Sequence, residues 1–272
     1  EAADGFESAA AIRDRGKTAS LMGAEGGHAI ENDIQKLAIL RERGVRYMTL
    51  THGDTIDWAD SATDVHKHGG LTRFGRTVVA QMNELGVIVD ISHVSDDTMR
   101  DAIEVSERPV MASHSGARAI ASHARNVPDD VLALVASNGG VVMVNFYPPF
   151  VVESAARQMA EMFSKARELR PEFESETAYE AEMDRLSVDT ITDRGTVASV
   201  VDHVEHVASV AGIDHVGLGS DFDGIAITPA GLEDVSRYPA ITRELLGRGW
   251  DVRDILKVLG QNALRVLAAN EG

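Results

Sequence analysis

The sequence contains no cysteine, few basic residues and no apolar run approaching the ~20 residues that a membrane span requires. Without cysteine there are no disulfides, zinc–thiolate sites or cysteine nucleophiles, and the compartment stays open between cytoplasm, periplasm and secretion. The 26 Lys and Arg against 43 Asp and Glu give a formal charge of −17, which argues against a nucleic-acid partner because phosphate binding needs a basic surface. No phosphate-binding glycine motif is present either. We therefore expect a soluble globular protein that does not bind nucleic acid.

Strand-like and helix-like segments alternate along most of the 272 residues. Apolar, β-branched runs centre near residues 18, 46, 88, 110, 141 and 216, each followed by a helix or loop. This alternation predicts the α/β class with a parallel sheet, and polar residues at the strand ends favour a (β/α)8 TIM-type barrel. Such a barrel has eight strands, so the first two βα units are expected to be absent from this sequence. The start at Glu1, without an initiator methionine, agrees with that expectation.

The stretch from Glu153 to Arg194 differs from the rest of the chain. It is highly charged, has helical periodicity, contains Pro171 as a break and shows no strand pattern. It has too few apolar residues to form a core of its own. We interpret residues 1–272 as one hydrolase-type barrel domain, in which residues 153–194 are a helical elaboration of one crossover. Helices are predicted for residues 232–247 and 252–269.

Two predicted strands in the middle of the chain each end near a histidine. Val87–His93 and Val110–Ser115 flank one helix-length segment, which begins at the capping residue Ser95. In parallel sheets and barrels the carboxyl ends of the strands carry the chemistry, so the placement of His93 and His114 indicates a site. The alternative is that both histidines only cap their strands through hydrogen bonds.

Further polar residues follow the other predicted strands. A carboxylate combined with two or more imidazoles is a ligand set typical of zinc, which lowers the pKa of bound water to ~7. Asp221 would carry the proton from the attacking water to the leaving group. The complete set, in chain order, is Glu25, His52, His93, His114, Asn145 and Asp221.

Six motifs in this order resemble those of the membrane (renal) dipeptidase family of the amidohydrolase superfamily. The resemblance runs from about Lys17 to the end and is weakest over residues 153–194. The motifs are Glu25-Gly-Gly-His28, Leu50-Thr-His52 followed by Trp58-Ala-Asp-Ser61, Asp90-Ile-Ser-His93, Ala112-Ser-His-Ser115, His123-Ala-Arg-Asn126 and Gly219-Ser-Asp-Phe-Asp-Gly224.

The resemblance implies a centre with two zinc ions. Glu25 corresponds to the carboxylate that bridges them, and His93 and His114 correspond to the other protein ligands of one ion. The family's first strand supplies the second ion through a His-x-Asp motif, and no such strand exists in this sequence. His52-Gly-Asp54 has the same letters but matches a different motif of the family. If the first strand is truly lacking, only one metal ion would be properly held.

The resemblance also assigns substrate-binding and catalytic residues. His52 corresponds to the histidine that contacts the substrate carbonyl and the tetrahedral intermediate, and Asp221 to the catalytic acid/base. Arg125 corresponds to the arginine that binds the terminal carboxylate of the dipeptide, a task suited to a guanidinium. We add Asn145 to the substrate-binding set. Arg118 competes with Arg125 for the carboxylate, and only the family match decides between them.

Other residues have competing interpretations. His66 and His68 are expected in a loop rather than in a metal pair, and His203 and His206 on a packed helix face, since barrel ligands come from strand ends. His215 begins its strand, at the end associated with stability. Two carboxylates are open: Asp223 either assists Asp221 or shapes its turn, and Asp90 either orients loops or is simply buried.

These observations predict a zinc-dependent hydrolase of dipeptides with a free terminal carboxylate, acting through metal-activated water. A homodimer is expected from the resemblance. One alternative is a related metal amidohydrolase that acts on another amide, such as an N-acyl amino acid. Another is a non-catalytic barrel that has lost its first metal ligands.

Overall fold

The computed structural model describes residues 1–169 and 175–271. Six strands form one sheet, and each strand pairs in parallel with its neighbours in chain order. This arrangement confirms the predicted α/β class and the parallel sheet. The strands are β1 (Met22–Glu25), β2 (Val45–Thr49), β3 (Ile88–Asp90), β4 (Met111–Ser115), β5 (Val141–Val144) and β6 (Val216–Leu218).

Helices follow most of the strands and supply the crossovers that parallel pairing requires. They are α1 (Phe6–Asp14), α2 (Gln35–Glu42), α3 (Arg73–Leu85), α4 (Asp96–Val105), α5 (Asp129–Asn138), α6 (Pro148–Val151), α7 (Glu153–Leu169), α8 (Glu176–Thr190), α9 (Val197–Ala211), α10 (Tyr238–Gly247), α11 (Val252–Leu256) and α12 (Asn262–Asn270). Short 3-10 turns occur at Gly27–Ile30, Ile213–His215 and Val235–Arg237.

The main core lies between the sheet and the helices packed on one of its faces. Strand residues such as Val89 and Val142 are fully buried there against helix residues such as Met82, Val135 and Val204. Complete burial of an aliphatic side chain contributes roughly 1.5–3 kcal/mol, so this layer dominates the stability of the fold. It also explains why the strands are continuous apolar runs, because both faces of a parallel sheet are covered.

A second apolar layer covers the amino ends of the middle strands. Ile88, Met111 and Val141 each begin their strand and pack with Val266 and Leu267 of α12. This packing closes one end of the inner face, so polar groups on that face are concentrated at the carboxyl ends of the strands.

The segment after β5 contains two long helices, α7 and α8, as its periodicity predicts. The predicted break at Pro171 lies outside the described residues. A small apolar cluster of Tyr147, Phe150, Met159, Met162 and Ile191 joins these helices to the end of β5.

Two predicted helices near the C-terminus have the wrong extent. The helix predicted over residues 232–247 begins only at Tyr238, because Pro239 lacks an N–H and is tolerated only in a first turn. The helix predicted over residues 252–269 is interrupted at Gly260, whose φ of 150° lies outside helical space. The first strand, predicted near residue 18, begins only at Met22, since Ser20 forms only an isolated bridge with Ala2.

Candidate metal centre and substrate cavity

Three side chains from separate strands converge at the carboxyl end of the sheet. Glu25 is the last residue of β1, His114 lies within β4, and His93 follows β3 by three residues. Glu25 Oε1 is 3.1 Å from His93 Nε2 and 3.2 Å from His114 Nε2. The two Nε2 atoms are 2.8 Å apart. Within residues 1–169 and 175–271, this is the group of His, Asp and Glu side chains whose ligand atoms lie close enough together to hold a metal ion.

The chemistry of this group fits a zinc-type ion. One carboxylate oxygen and two imidazole nitrogens are ligands that Zn²⁺ prefers. With bonds of about 2.0–2.1 Å, ligand atoms around tetrahedral zinc lie roughly 3.3–3.4 Å apart, close to the three separations above. Three acceptor atoms held this close together favour a cation between them.

Burial sets the protonation state of His93. The low-polarity surroundings, reinforced by the positive charge of Arg125, lower the pKa of His93 to about 2, although the hydrogen bond to Glu25 opposes this shift. The adjacent His114 and His93 imidazoles hold the pKa of the Glu25 carboxyl well below its usual range. A neutral imidazole beside an ionised carboxylate is the state that metal ligation requires.

The backbone at His93 adopts an unusual conformation, with φ at 67° in the left-handed region. Histidine enters this region more readily than most residues, yet such geometry at a non-glycine residue is uncommon and is frequent at functional sites. The neighbouring loop fixes it, since the Ser61 hydroxyl and the Ala62 N–H both contact His93 O, at 3.3 and 2.8 Å. His93 is therefore turned toward Glu25 by its surroundings.

His52 lies next to this group, three residues after β2. Its ring centroid is 4.6 Å from that of His93. The Ser61 hydroxyl is 2.9 Å from both His52 O and Gly53 O, which ties the loop after β2 to the site. Sequence proximity did not place these two histidines together; parallel pairing of β2 with β3 did.

Arg125 is buried next to the histidines, and one nitrogen of its guanidinium has no hydrogen-bond partner. The residue is 3% exposed, Nη2 donates to His114 O at 3.3 Å, and buried Nη1 has no hydrogen-bond partner. Its guanidinium carbon lies 5.3 Å from the ring centre of Phe150. Burial lowers the pKa of Arg125 to about 10, opposed by the charges of Asp221, Asp90 and Glu25, so the group stays cationic at neutral pH. A buried cation with a free N–H is suited to bind an anion.

Arg118 is engaged elsewhere. Its guanidinium donates to both carboxylate oxygens of Asp96, at 2.5 and 2.6 Å, and to Asn126 O. The structure thus adds a physical reason to prefer Arg125 as the anion-binding group.

Asp221 faces the same cavity from the end of β6. Asn145 Nδ2 donates to Asp221 Oδ2 at 3.0 Å, and Asn145 Oδ1 accepts from Tyr147 N. The φ of Asp221 is 64° and that of Asp223 is 71°. A side chain at Gly224 would approach Asp221 Oδ1 within 2.4 Å, so this tight turn requires glycine.

A cavity of about 380 Å³ is lined by Glu25, His114 and Asp221, and its volume is typical of small-molecule sites. It is open toward the carboxyl ends of β1, β2, β4 and β6, although β1 and β6 do not pair with each other in the described sheet. Its lining consists of Gly23, Glu25, Tyr47, Thr49, Ser113, His114, Leu218, Gly219, Ser220, Asp221 and Tyr238.

The remaining histidines that were considered lie outside this group. His66 and His68 are exposed in the loop, and His68 Nε2 is 3.0 Å from Ile56 O. His203 is buried in α9, and His215 Nδ1 is 2.8 Å from Gly140 O.

Sequence reasoning missed several polar residues of the site. Ser113 and Thr49 line the cavity and bond to Asp90, while Tyr238 reaches it from α10. Hydroxyl residues recur at the ends of β2, β3 and β4, and this was the available signal.

Comparisons with known proteins agree with this site. The family model described as membrane dipeptidase (peptidase family M19) matches residues 1–272. Dipeptidase aclJ of Aspergillus oryzae and dipeptidase tcpJ of Claviceps purpurea are each 41% identical over 253 residues, which cover 93% of this chain and 51% of each relative. The chain therefore spans about half the length of these curated relatives.

Solved structures of similar fold are also known. The probable dipeptidase PvdM from Pseudomonas aeruginosa has a TM-score of 0.86 at 26% identity, covering 100% of this chain and 74% of that one. A metallopeptidase from Rhodobacter sphaeroides, bound to a phosphinate mimic of the dipeptide L-Ala-D-Ala, has a TM-score of 0.78 at 25% identity, covering 99% and 68%. Among the described residues, no helix combines the length and apolar character needed to cross a bilayer.

Proposed function

The chain belongs to the membrane dipeptidase family, and from this premise we propose that it is a zinc-dependent dipeptidase. The observation that carries the proposal is the convergence of Glu25, His93 and His114 beside a buried arginine with an unpartnered N–H. A metal-binding group at a cavity, with a buried anion-binding group behind it, suits a small substrate with a terminal carboxylate.

We also propose that the six strands are part of a (β/α)8 barrel. The support is that β1 and β6, the two unpaired edges of the sheet, line the same cavity. In a closed barrel, two further βα units would pair with these edges. Residues 153–194 would then be an elaboration of the crossover between β5 and β6.

Glu25, His93 and His114 would hold one zinc ion. The ion would supply a Lewis acid and lower the pKa of a bound water to ~7, which provides a nucleophile at neutral pH. Both histidines contact Oε1 of Glu25, and 49% of its side chain is exposed, so Glu25 would also be accessible to a second ion.

Arg125 would bind the terminal carboxylate of the dipeptide. Its Nη2 already donates to His114 O, so Nη1 supplies the free donor, and burial strengthens a charge-assisted bond. This contact would orient the peptide bond toward the metal ligands. His52, beside His93, would hydrogen-bond to the substrate carbonyl oxygen.

Asp221 would move the proton. It would accept a proton from the attacking water and deliver it to the peptide nitrogen, which leaves as an amine. The amide of Asn145 binds Oδ2 of Asp221, which orients the carboxylate and leaves Oδ1 free toward the cavity.

A substrate panel with metal removal tests this function. The panel contains a dipeptide, its C-terminal amide and an N-acyl amino acid, each assayed before chelation, after chelation and after Zn²⁺ is restored. We expect hydrolysis of the dipeptide to be lost and recovered with the metal, and the amide to be a poor substrate. Hydrolysis that survives complete metal removal would refute the proposal. Faster cleavage of the N-acyl amino acid would favour the related amidohydrolase, since Arg125 suits its carboxylate equally.

A further inference from the structure

Asp90 is a completely buried carboxylate that the proposed reaction does not use. Its Oδ1 accepts from the backbone N–H groups of Ser92 and Ser113, both at 3.0 Å. Its Oδ2 accepts from the hydroxyls of Thr49, at 2.8 Å, and Ser113, at 2.5 Å. A buried charge is costly unless it is fully hydrogen-bonded, and this one accepts four bonds, from β2, β4 and the loop after β3.

The hydroxyl of Ser113 lies between Asp90 and His114. Its Oγ is 2.5 Å from Asp90 Oδ2 and 2.8 Å from His114 Nδ1. An ionised carboxylate only accepts hydrogen bonds, so the single hydroxyl proton points at Asp90. Two oxygens 2.5 Å apart need a proton between them, which the carboxylate cannot supply, and Ser92 Oγ is 3.5 Å away, beyond the usual O–H···O range. The Ser113 oxygen is therefore free only to accept, and its neighbour on that side is His114 Nδ1.

A neutral imidazole carries one N–H, and its position follows from this arrangement. Bonding to the Ser113 oxygen places the hydrogen on Nδ1, which leaves the lone pair on Nε2. Nε2 is the atom that faces Glu25 Oε1, at 3.2 Å, and His93 Nε2, at 2.8 Å. A metal ligand needs its lone pair at this atom.

We propose that Asp90 and Ser113 are positioning residues that fix the tautomer and ring orientation of His114 for metal binding. The proposal rests on the metal site proposed above and adds two residues to it. It differs from a purely structural role, in which Asp90 would only tie three strands together, because it specifies which ring nitrogen of His114 carries the proton.

Replacement of Asp90 by asparagine separates the two roles. The two backbone N–H groups at Oδ1 can only donate, so the amide oxygen of Asp90→Asn must stay there and its NH₂ must replace Oδ2. That NH₂ would donate to Ser113 Oγ, and the Ser113 hydroxyl would then donate to His114 Nδ1. The tautomer would be reversed, with nearly unchanged shape.

The first measurement is the ¹⁵N spectrum of the histidine rings in the metal-free protein, with His114 assigned from the signals lost in His114→Gln. We expect the neutral His114 ring to carry its proton on Nδ1 in the wild-type protein and on Nε2 in Asp90→Asn. Ser113→Ala should give a mixture. An unchanged tautomer in both variants would overturn the proposal, whether or not the protein binds zinc.

The second measurement is zinc affinity, from competition with a chelator. Loss of such a supporting partner typically weakens metal binding 10–100-fold, and we expect this for Ser113→Ala. Ser113→Thr keeps the hydroxyl and should remain near the wild-type value. Ser115→Ala is the control in the same strand, because Ser115 is fully buried in β4, more so than Ser113, and its hydroxyl bonds to Ser92 instead of Asp90 or His114.

Equal losses in Ser113→Ala and Ser115→Ala would show a packing effect and overturn the proposal. Wild-type affinity in Ser113→Ala would also overturn it, while the metal site itself would stand. Absence of zinc binding by the wild-type protein would instead refute the proposed function. The ring tautomer of His114 would still show whether Asp90 and Ser113 fix the position of its proton.

Discussion

Two pairs of histidines in this chain lie in different surroundings. His93 and His114 are 21 positions apart in sequence, yet their Nε2 atoms are 2.8 Å apart, beside Glu25. His203 and His206 are one turn apart on α9 and do not share a partner. Some metal pairs have the spacing of the helical pair, but the sequence favours the two strand ends, and the fold brings the rings of the strand pair together.

The difference lies in what each ring faces. His203 Nδ1 accepts from Ala117 N at 2.9 Å and its Nε2 is 3.0 Å from Val151 O, so backbone groups satisfy both nitrogens. His206 pairs with Asp129 at 2.8 Å near the surface. The rings of His93 and His114 instead face each other and a carboxylate at the edge of a cavity. Parallel strands bring their carboxyl ends to one edge, whereas a helix face packs against whatever covers it.

Low pKa values do not distinguish the pairs. Burial lowers the pKa of His93 to about 2 and that of His203 to about 4. The shared direction has a shared cause, desolvation of a cation. A depressed histidine pKa thus marks burial, and convergence with other ligand atoms marks the site.

The largest expected effect comes from exchanging one histidine in each pair. His114→Gln should remove a zinc ligand and reduce dipeptide hydrolysis by roughly 10³-fold, with loss of bound zinc by elemental analysis. His206→Gln is the matched change in the other pair and should leave activity within about twofold, since exposed ion pairs contribute little. Equal losses in both variants would contradict the comparison.

The second prediction concerns Asp221, the proposed proton carrier, which is not one of the proposed zinc ligands. Asp221→Asn should lower kcat by roughly 10²–10⁴-fold while zinc content and KM stay nearly constant, because only proton transfer is lost. Asparagine tolerates the left-handed backbone at this position, so folding is preserved.

Asp223→Asn provides the control in the same turn. Asp223 also has a left-handed backbone. A small effect there would show that Asp223 shapes the turn, and an effect as large as that of Asp221→Asn would make it a partner in the reaction.

The third prediction tests the buried neutral state of His203. Its pKa is about 4 in the folded protein and about 6.5 when unfolded, so between these values only the unfolded chain binds a proton. Stability should therefore fall as the pH drops from 6.5 toward 4, by about 2 kcal/mol between pH 7 and pH 5 from this group. Urea denaturation at several pH values should show a shallower pH dependence in His203→Gln. If the free energy of unfolding depended on pH equally in the wild type and in His203→Gln, burial of His203 would not be the cause.

The smallest expected effect concerns the two arginines. Arg125→Lys keeps the charge but loses the planar donor fork, and should raise KM for dipeptides roughly tenfold. Arg118→Lys, whose parent side chain is engaged by Asp96, should not change KM. For a dipeptide with a C-terminal amide, Arg125→Lys should leave KM unchanged. An increase in this KM as large as that for the dipeptide would argue against carboxylate binding by Arg125.

The sequence predicts much of this fold because strand and helix periods are local properties. The positions of the last five strands, the parallel sheet and the family are confirmed, while the first strand lies a few residues later than predicted. The misplaced start of α10 and the interruption at Gly260 are local effects too, but a hydrophobic pattern that runs across a proline or a glycine hides them. The barrel, the zinc ions and the roles of the site residues stay predictions.

By itself, the sequence determined which residues stand at strand ends, because the apolar run that forms each strand also fixes where it stops. Only the tertiary structure decided which of them meet. It brought Glu25, His93 and His114 within 3.2 Å of one another, left an N–H of Arg125 unpartnered and placed Ser113 between Asp90 and His114. The physical reason is that strand pairing and helix packing act across the whole chain, whereas hydrogen-bond partners are set at distances of about 3 Å.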